Sequence, residues 1–354
     1  MDTDFLRSLV KDLGDENTTI AADGKSSAEF SGTIDTGSYM LNAVVSGSLY
    51  GGVPNNKITA FAGESATGKT YFVLGVISQF LKANKNGGVI YFDTESAVTN
   101  EMLESRGIDP AKVIKSEPDT IQKFRHNVIL MIDRYLAQDP SERQPWLMVL
   151  DSLGQLSSTK EIEDTADGSE TRDMTKAQVI KGTFRVLNLK LAKAKVPILV
   201  TNHVYAAIGS YIPKNEISGG SGLKYSASTI CMLSKKKERD GTEVIGNIIK
   251  VKMEKSRLSR ENREVEVLLD YNTGLHRYYG LIDLGIKYGI FKKIANRIET
   301  EDGKKVYAKS IYDNPDEYFT SSVMERLEAA AQKEYQYGSY EEVVEEDSEG
   351  DAGV

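Results

Sequence analysis

A chain of 354 residues, 40% hydrophobic and 27% charged, is long enough to bury a full α/β core and suits two domains, one of them small. No apolar run nears the roughly 18 residues of a membrane span, the start Met1-Asp2-Thr3-Asp4 lacks the basic and apolar regions of a signal peptide, and the single cysteine, Cys231, allows no disulfide within the chain. These features argue against a helical membrane protein and a disulfide scaffold and suit a reducing cytoplasm. The net charge of −8 is concentrated at one end, because Glu341 to Asp351 carries seven acidic residues and no basic one. The remainder holds 44 basic against 45 acidic residues, so a polyanionic partner stays open. The tail reads either as a solubilising end or as a competitor for basic surface.

In chain order, Phe5, Leu6, Leu9, Val10 and Leu13 form an apolar stripe at helical spacing, and the polar stretch 16–31 reads as a linker. A helix this short needs its own core or a neighbouring subunit to pack on. After Thr36-Gly37-Ser38 and an apolar run, Lys57 to Ala62 reads as a buried strand and 71–81 as a helix with an apolar face. Between them stands Gly63-Glu64-Ser65-Ala66-Thr67-Gly68-Lys69-Thr70, the phosphate-binding loop pattern. Gly63 and Gly68 allow the tight backbone whose N–H groups face an anion, Lys69 supplies a mobile charge, and the Thr70 hydroxyl can ligate Mg²⁺. The alternative is a glycine-rich turn that binds nothing, but strand before and helix after favour a nucleoside triphosphate.

Gly88 to Asp93 is a second buried strand, followed by Thr94-Glu95. At the carboxyl end of a parallel strand, Glu95 is either the group that deprotonates an attacking water or a solvated capping carboxylate. Residues 119–136 carry a helical core stripe from which His126 is excluded. Trp146 to Leu150 is a third strand, closed by Asp151, in the form of the second nucleotide motif whose carboxylate serves Mg²⁺. Ser157 to Asp173 and His203 to Ser221 lack periodicity and read as two long loops at the carboxyl edge of the sheet. The helix between them buries Ile180, Phe184, Leu187 and Leu191 and turns lysines to solvent, and Pro197 to His203 is a fourth strand. Ser228–Ser234, Asn247–Met253 and Glu264–Tyr271 read as antiparallel additions to the sheet, with Lys235-Lys236-Lys237 as a hairpin loop and Cys231 as a buried thiol.

These pieces together resemble the RecA-type recombinases, above all the phage UvsX-like branch. The resemblance covers about residues 30–290 and rests on Thr36-Gly37-Ser38, the loop at 63–70, Tyr91-Phe92-Asp93-Thr94-Glu95, Asp151-Ser152-Leu153-Gly154, Asp173-Met174-Thr175, Asn202-His203, Ser218-Gly219-Gly220-Ser221-Gly222 and Glu254-Lys255-Ser256-Arg257. It implies an α/β fold: a P-loop ATPase core with a mostly parallel central sheet flanked by helices, a short N-terminal helix-and-strand arm and a small C-terminal α/β subdomain. The corresponding division is an arm and linker at 1–32, the core at 33–275, the subdomain at 276–333 and an acidic tail at 334–354. The piece around Glu29-Phe30-Ser31 and the first helix would dock on the next subunit.

The resemblance further implies ATP and Mg²⁺ as cofactors, bound by residues 63–70 with Tyr71 and Asp151, the metal falling to Thr70 and Asp151. Glu95 would activate water with Lys69 on the phosphates, His203 would sense the γ-phosphate, and Lys255 and Arg257 would reach the nucleotide of an adjacent subunit. Met102 stands where bacterial relatives carry an aromatic near the adenine, a departure from the pattern. The two loops would bind DNA through Lys160, Arg172, Lys176, Tyr205, Tyr211, Lys214, Gly219, Gly220 and Lys224. Sequence-independent, salt-sensitive binding through phosphates, with tyrosines stacking on bases, would leave base edges free for pairing. The implied function is a DNA-dependent ATPase that forms filaments on single-stranded DNA and exchanges strands with a homologous duplex. Its implied partners are a single-strand-binding protein and a recombination mediator. A hexameric helicase with the same core is the alternative, and a small-molecule P-loop kinase suits the sequence less, since no arginine-rich lid segment follows the core.

Overall fold

The computed structural model describes residues 3–15, 18–23, 31–168, 175–206, 215–218, 221–240 and 243–338. Helix α1 (Thr3–Leu13) buries no side chain, and Phe5, Leu9 and Leu13 of its apolar stripe are exposed. Strand β1 (Thr33–Ile34) pairs with β2 (Val53–Pro54) around α2 (Tyr39–Ser46), which Ser38 caps and Gly47, at φ 83°, ends in the left-handed conformation. The central elements follow as β3 (Ile58–Gly63), α3 (Lys69–Ala83), β4 (Gly88–Asp93), α4 (Asn100–Glu104), β5 (Val113–Ser116), α5 (Ile121–Leu136), β6 (Trp146–Asp151), α6 (Thr159–Ala166), α7 (Lys176–Ala194), β7 (Ile198–Ala206) and β8 (Asn215–Ile217). After these come α8 (Ser221–Ser226), β9 (Thr229–Asp240), β10 (Glu243–Lys255), β11 (Glu264–Asp270) and β12 (Gly274–Leu275).

Among the described residues these strands form one ten-stranded sheet ordered β12-β11-β10-β9-β3-β7-β6-β4-β5, with β8 paired to β7. The run β9-β3-β7-β6-β4-β5 is parallel, and β10, β11 and β12 add antiparallel strands at one side. Helices cover both faces, which is why the inner strands read as unbroken apolar runs. The pleat then sorts each run in two. Phe61, Tyr91, Val149 and Leu199 pack with α2 and α3, while Ala60, Phe92, Leu150 and Val200 pack with α5 and α7. This is the α/β arrangement, a mostly parallel sheet flanked by helices, that the sequence leads one to expect.

The remaining chain runs α9 (Leu281–Lys287), the three-stranded antiparallel sheet β13 (Lys292–Ile294), β14 (Arg297–Glu299) and β15 (Lys305–Val306), then α10 (Ala308–Asp313), α11 (Pro315–Tyr318) and α12 (Ser321–Tyr335). Leu281, Phe291, Ile311, Val323 and Leu327 join the same apolar cluster as α2 and α3. Arg277 binds Asp35 with two contacts of 2.6 Å and lies 3.9 Å from the Tyr39 ring, so this segment is tied to the core by charge as well as by packing.

Four expectations need correction. The strand expected at 228–234 as an antiparallel addition is β9, which pairs parallel with β3 and antiparallel only with β10. The stretch 157–173 is not structureless, because 159–166 forms α6, whose start carries a complete capping box of Ser158 and Glu161. That Ser-x-x-Glu signature stood in the sequence, unaccompanied by an apolar stripe. Within 203–221, β7 continues to Ala206 and pairs antiparallel with β8. Lys235-Lys236-Lys237 is strand rather than turn: β9 runs through these residues, opposite Ile249, Ile248 and Asn247, to Asp240 opposite Glu243. Backbone ladder hydrogen bonds are indifferent to side-chain charge, so composition misplaced the turn.

Candidate functional site

Parallel register brings the ends of four strands to one level. Gly63 lies opposite His203, and Asp93 lies opposite Asp151. The loop leaving β3 needs its glycines: a Cβ on Gly63 would fall 2.7 Å from the Leu233 carbonyl oxygen, and Gly68 holds φ 85° as the cap of α3. Lys69 is buried, with Nζ 3.0 Å from the Gly63 oxygen and 2.8 Å from the Glu64 oxygen. Burial lowers its pKa, against the opposing pull of Glu95 and Asp151. Three hydroxyls converge on the buried Asp151 carboxylate. Thr70 donates to Oδ2 at 2.8 Å, Tyr91 donates to Oδ2 at 2.7 Å, and Thr201 donates to Oδ1.

Glu95 sits beside this group because the buried Asp93 accepts from the backbone N–H groups of Glu95, Ala97 and Val98 at 3.2, 3.3 and 3.0 Å. Its Oε1 receives the Ser152 hydroxyl at 2.7 Å and lies 3.1 Å from His203 Nε2, which puts the imidazole proton on Nε2. Burial raises the Glu95 pKa, but the hydrogen bonds from Ser152 and His203 outweigh it and leave the carboxyl below its ordinary value. Ionised, with both contacts on Oε1, it keeps the lone pairs of Oε2 for a water proton.

A cleft of about 360 Å³ unites Ser65, Ala66, Gly68, Lys69, Thr70, Tyr71, Glu95, Asp151 and His203. It continues over Arg106, Asn247, Leu269, Asp270 and Tyr271. Helix N-terminus, loop lysine and glycines suit a polyphosphate. Among the described residues no group of three or more His, Cys, Asp or Glu is placed to hold a metal. One hydroxyl on one carboxylate fits a magnesium ion that would take most of its ligands from elsewhere, Thr70 and Asp151 being the residues that would hold it.

The remaining expected residues are dispersed. Lys255 pairs with Ile230, itself opposite Ala60, so it lies toward the amino edge of the parallel strands. That places it about 10 Å along and about 10 Å across the sheet from Gly63. Its Nζ donates to the Lys224 and Tyr225 carbonyl oxygens at 2.8 and 3.3 Å, and its pKa is lowered by burial and then by the neighbouring Arg257. Arg257 is exposed, and Lys224 is ion-paired with Glu254 at 3.2 Å, beside Lys255 and not with the other DNA candidates. Lys160 is exposed on α6, Lys176 pairs with Glu161 at 3.1 Å, and Tyr205 is half exposed at the end of β7. Arg172, Tyr211, Lys214, Gly219 and Gly220, with Glu29-Phe30, Asp173-Met174 and the acidic tail from 339 on, lie outside the described residues. Met102 is half buried and packs against the apolar core.

Tyr91, Thr201 and Ser152 were not singled out as site residues, nor were Arg106, Asn247, Leu269, Asp270 and Tyr271. A tyrosine and a threonine inside apolar strands carry a faint signal, since a buried hydroxyl needs a partner. Nothing local marked the other residues. No helix among the described residues is long and apolar enough to cross a membrane.

Comparison with known proteins agrees with this arrangement. The profile of the RecA N-terminal domain matches residues 4–276. The recombination and repair protein of Enterobacteria phage T4 is 28% identical over 257 residues, 73% of this chain, and the matched part spans 64% of that protein. Protein RecA of Agrobacterium fabrum is 29% identical and that of Rhizobium leguminosarum bv. trifolii 30% identical, each over 298 residues, 80% of this chain and 76% of the relative. Strand order, loop and carboxylate geometry and the long profile match converge: the chain belongs to the RecA N-terminal domain family.

Proposed function

We propose that the chain is a DNA-dependent ATPase that polymerises on single-stranded DNA and catalyses homologous pairing and strand exchange in recombination and repair. One observation carries this reading: Glu95, the candidate base, is hydrogen-bonded through His203 to the strand that enters the second loop region. A group that would respond to the γ-phosphate is thereby joined to the strand leading into the segment that would grip DNA.

Each residue has a physical task in this scheme. Lys69 exchanges two neutral carbonyl acceptors for charged phosphate oxygens. Thr70 is oriented by Asp151, which Tyr91 and Thr201 hold in place. Thr70 and Asp151 would hold Mg²⁺, which would supply charge neutralisation to the phosphates. Glu95 aligns a water through Oε2 and takes its proton as the water oxygen bonds to the γ-phosphorus and the bond to the β–γ bridging oxygen breaks, releasing ADP and phosphate. His203 and Ser152 keep Glu95 ionised and in place. Lys255 lies too far from its own loop to assist, and with Arg257 two residues on it would complete the site of an adjacent copy, so that turnover would require assembly. The apolar face of α1 suits the same assembly.

The test is ATP turnover with and without single-stranded DNA, together with electron microscopy of the product. DNA-stimulated turnover on open helical filaments, lost in Lys69→Ala, is the expected result. Closed rings around the strand favour the helicase, and turnover indifferent to DNA refutes both readings.

A further inference from the structure

Past the phosphate loop, the cleft is shaped around Arg106, which follows α4 in a segment where no sequence motif marks it. Its guanidinium lies 5.1 Å from the centre of the Tyr71 ring, and Tyr71 directly follows the phosphate-loop Thr70. Nη1 and Nη2 each donate at 3.0 Å, to the carbonyl oxygens of Asn272 and Tyr271. Those carbonyls belong to a turn that Asp270 rigidifies by accepting from the N–H groups of Asn272 and Thr273 at 2.8 Å. Gly274 completes it at φ 86°, where a Cβ would come within 3.2 Å of Arg106 Nη1. Arg106 Nε is buried without a hydrogen-bond partner.

We propose that Arg106 is the platform that receives the purine base of the nucleotide, and hence a specificity-determining residue for this cleft. The inference rests on reading the cleft as an ATP site and adds what selects the base. A guanidinium clamped at both ends of its fork has a fixed plane, and an aromatic base laid against it gains a cation–π contact at little entropic cost. Tyr71 and the exposed Tyr271 flank the same end of the cleft. The larger π surface of a purine favours ATP over CTP, whereas the phosphate end is blind to the base.

The experiment is isothermal titration of the full chain with ATP, CTP and inorganic tripolyphosphate in the presence of Mg²⁺. Arg106→Ala is expected to weaken ATP roughly tenfold, as one partly desolvated cation–π contact predicts, to narrow the preference over CTP and to leave tripolyphosphate unchanged. Arg106→Lys, which keeps the charge without the plane, guards against a folding defect and is expected to follow Arg106→Ala toward ATP. Unchanged ATP affinity, an equal loss of ATP and tripolyphosphate, or wild-type behaviour of Arg106→Lys each overturns the proposal. If Lys69→Ala leaves both ATP and tripolyphosphate binding intact, the cleft is not the phosphate site and the proposal falls with that reading.

Discussion

The three hydroxyls on Asp151 make a quantitative prediction. Tyr91 is fully buried, and Tyr91→Phe removes the phenol hydroxyl that donates to the carboxylate while the ring stays in its packing. A hydrogen bond to a charged group contributes about 1.5–3 kcal/mol. Thr70 and Thr201 remain as donors, so the expected cost sits at the lower end, about 1.5 kcal/mol. In an Asp151→Asn background the same change removes only a neutral contact, and the double-mutant cycle should give a coupling of about 1 kcal/mol. Urea unfolding of the four proteins measures both quantities as shifts in midpoint at unchanged slope. Because Asp151 orients Thr70, Tyr91→Phe should also weaken ATP binding in the presence of Mg²⁺. A cost below about 0.5 kcal/mol in both backgrounds, with no coupling, would show that the phenol does not support the carboxylate, and the account of how the metal ligands are held would fail.

Mixing a Lys255→Ala protein with a Glu95→Gln protein should restore part of the turnover that each lacks alone, since a mixed boundary can unite one intact half from each; no recovery contradicts the shared site. Asp35 has its pKa lowered, because the hydrogen bonds from Arg277, Gly37 and Asn42 outweigh the effect of burial. Its stabilising contribution is therefore complete above the ordinary aspartate pKa of about 4 and is lost as pH falls through the lowered value. Asp35→Asn should flatten this part of the acid limb of a urea midpoint–pH curve, and parallel curves would refute the assignment. Cys231, whose thiol burial pushes up to about 12, should resist alkylation in the native protein at pH 8 and react on unfolding. Deleting 341–354 should tighten DNA binding at moderate salt, as filter-binding titrations would show; equal affinity assigns the tail to solubility alone.

Much of the candidate site could be read before any coordinates. The loop at 63–70 and the carboxylates at strand ends follow from needs confined to a few neighbouring residues, namely tight backbone, a free cation and a helix start. The lysines at 235–237 misled for the opposite reason, because their place in a ladder depends on a partner strand and not on their own composition. The helix at 159–166 had its capping box in view but no apolar stripe, so polarity outweighed the cap.

By itself the amino-acid sequence determined the alternation of buried strands and amphipathic helices, the glycine-rich loop at 63–70 and the family, since local periodicity records how many faces of an element are buried. The tertiary structure alone decided which side chains meet. Strand order and register set Tyr91 and Thr201 on Asp151, placed His203 against Glu95 and put Lys255 toward the opposite edge of the sheet. A turn at 270–274 caught Arg106, 165 residues away along the chain from Tyr271. Such pairings depend on how distant segments align across a sheet, and the pattern of any one segment is compatible with many alignments.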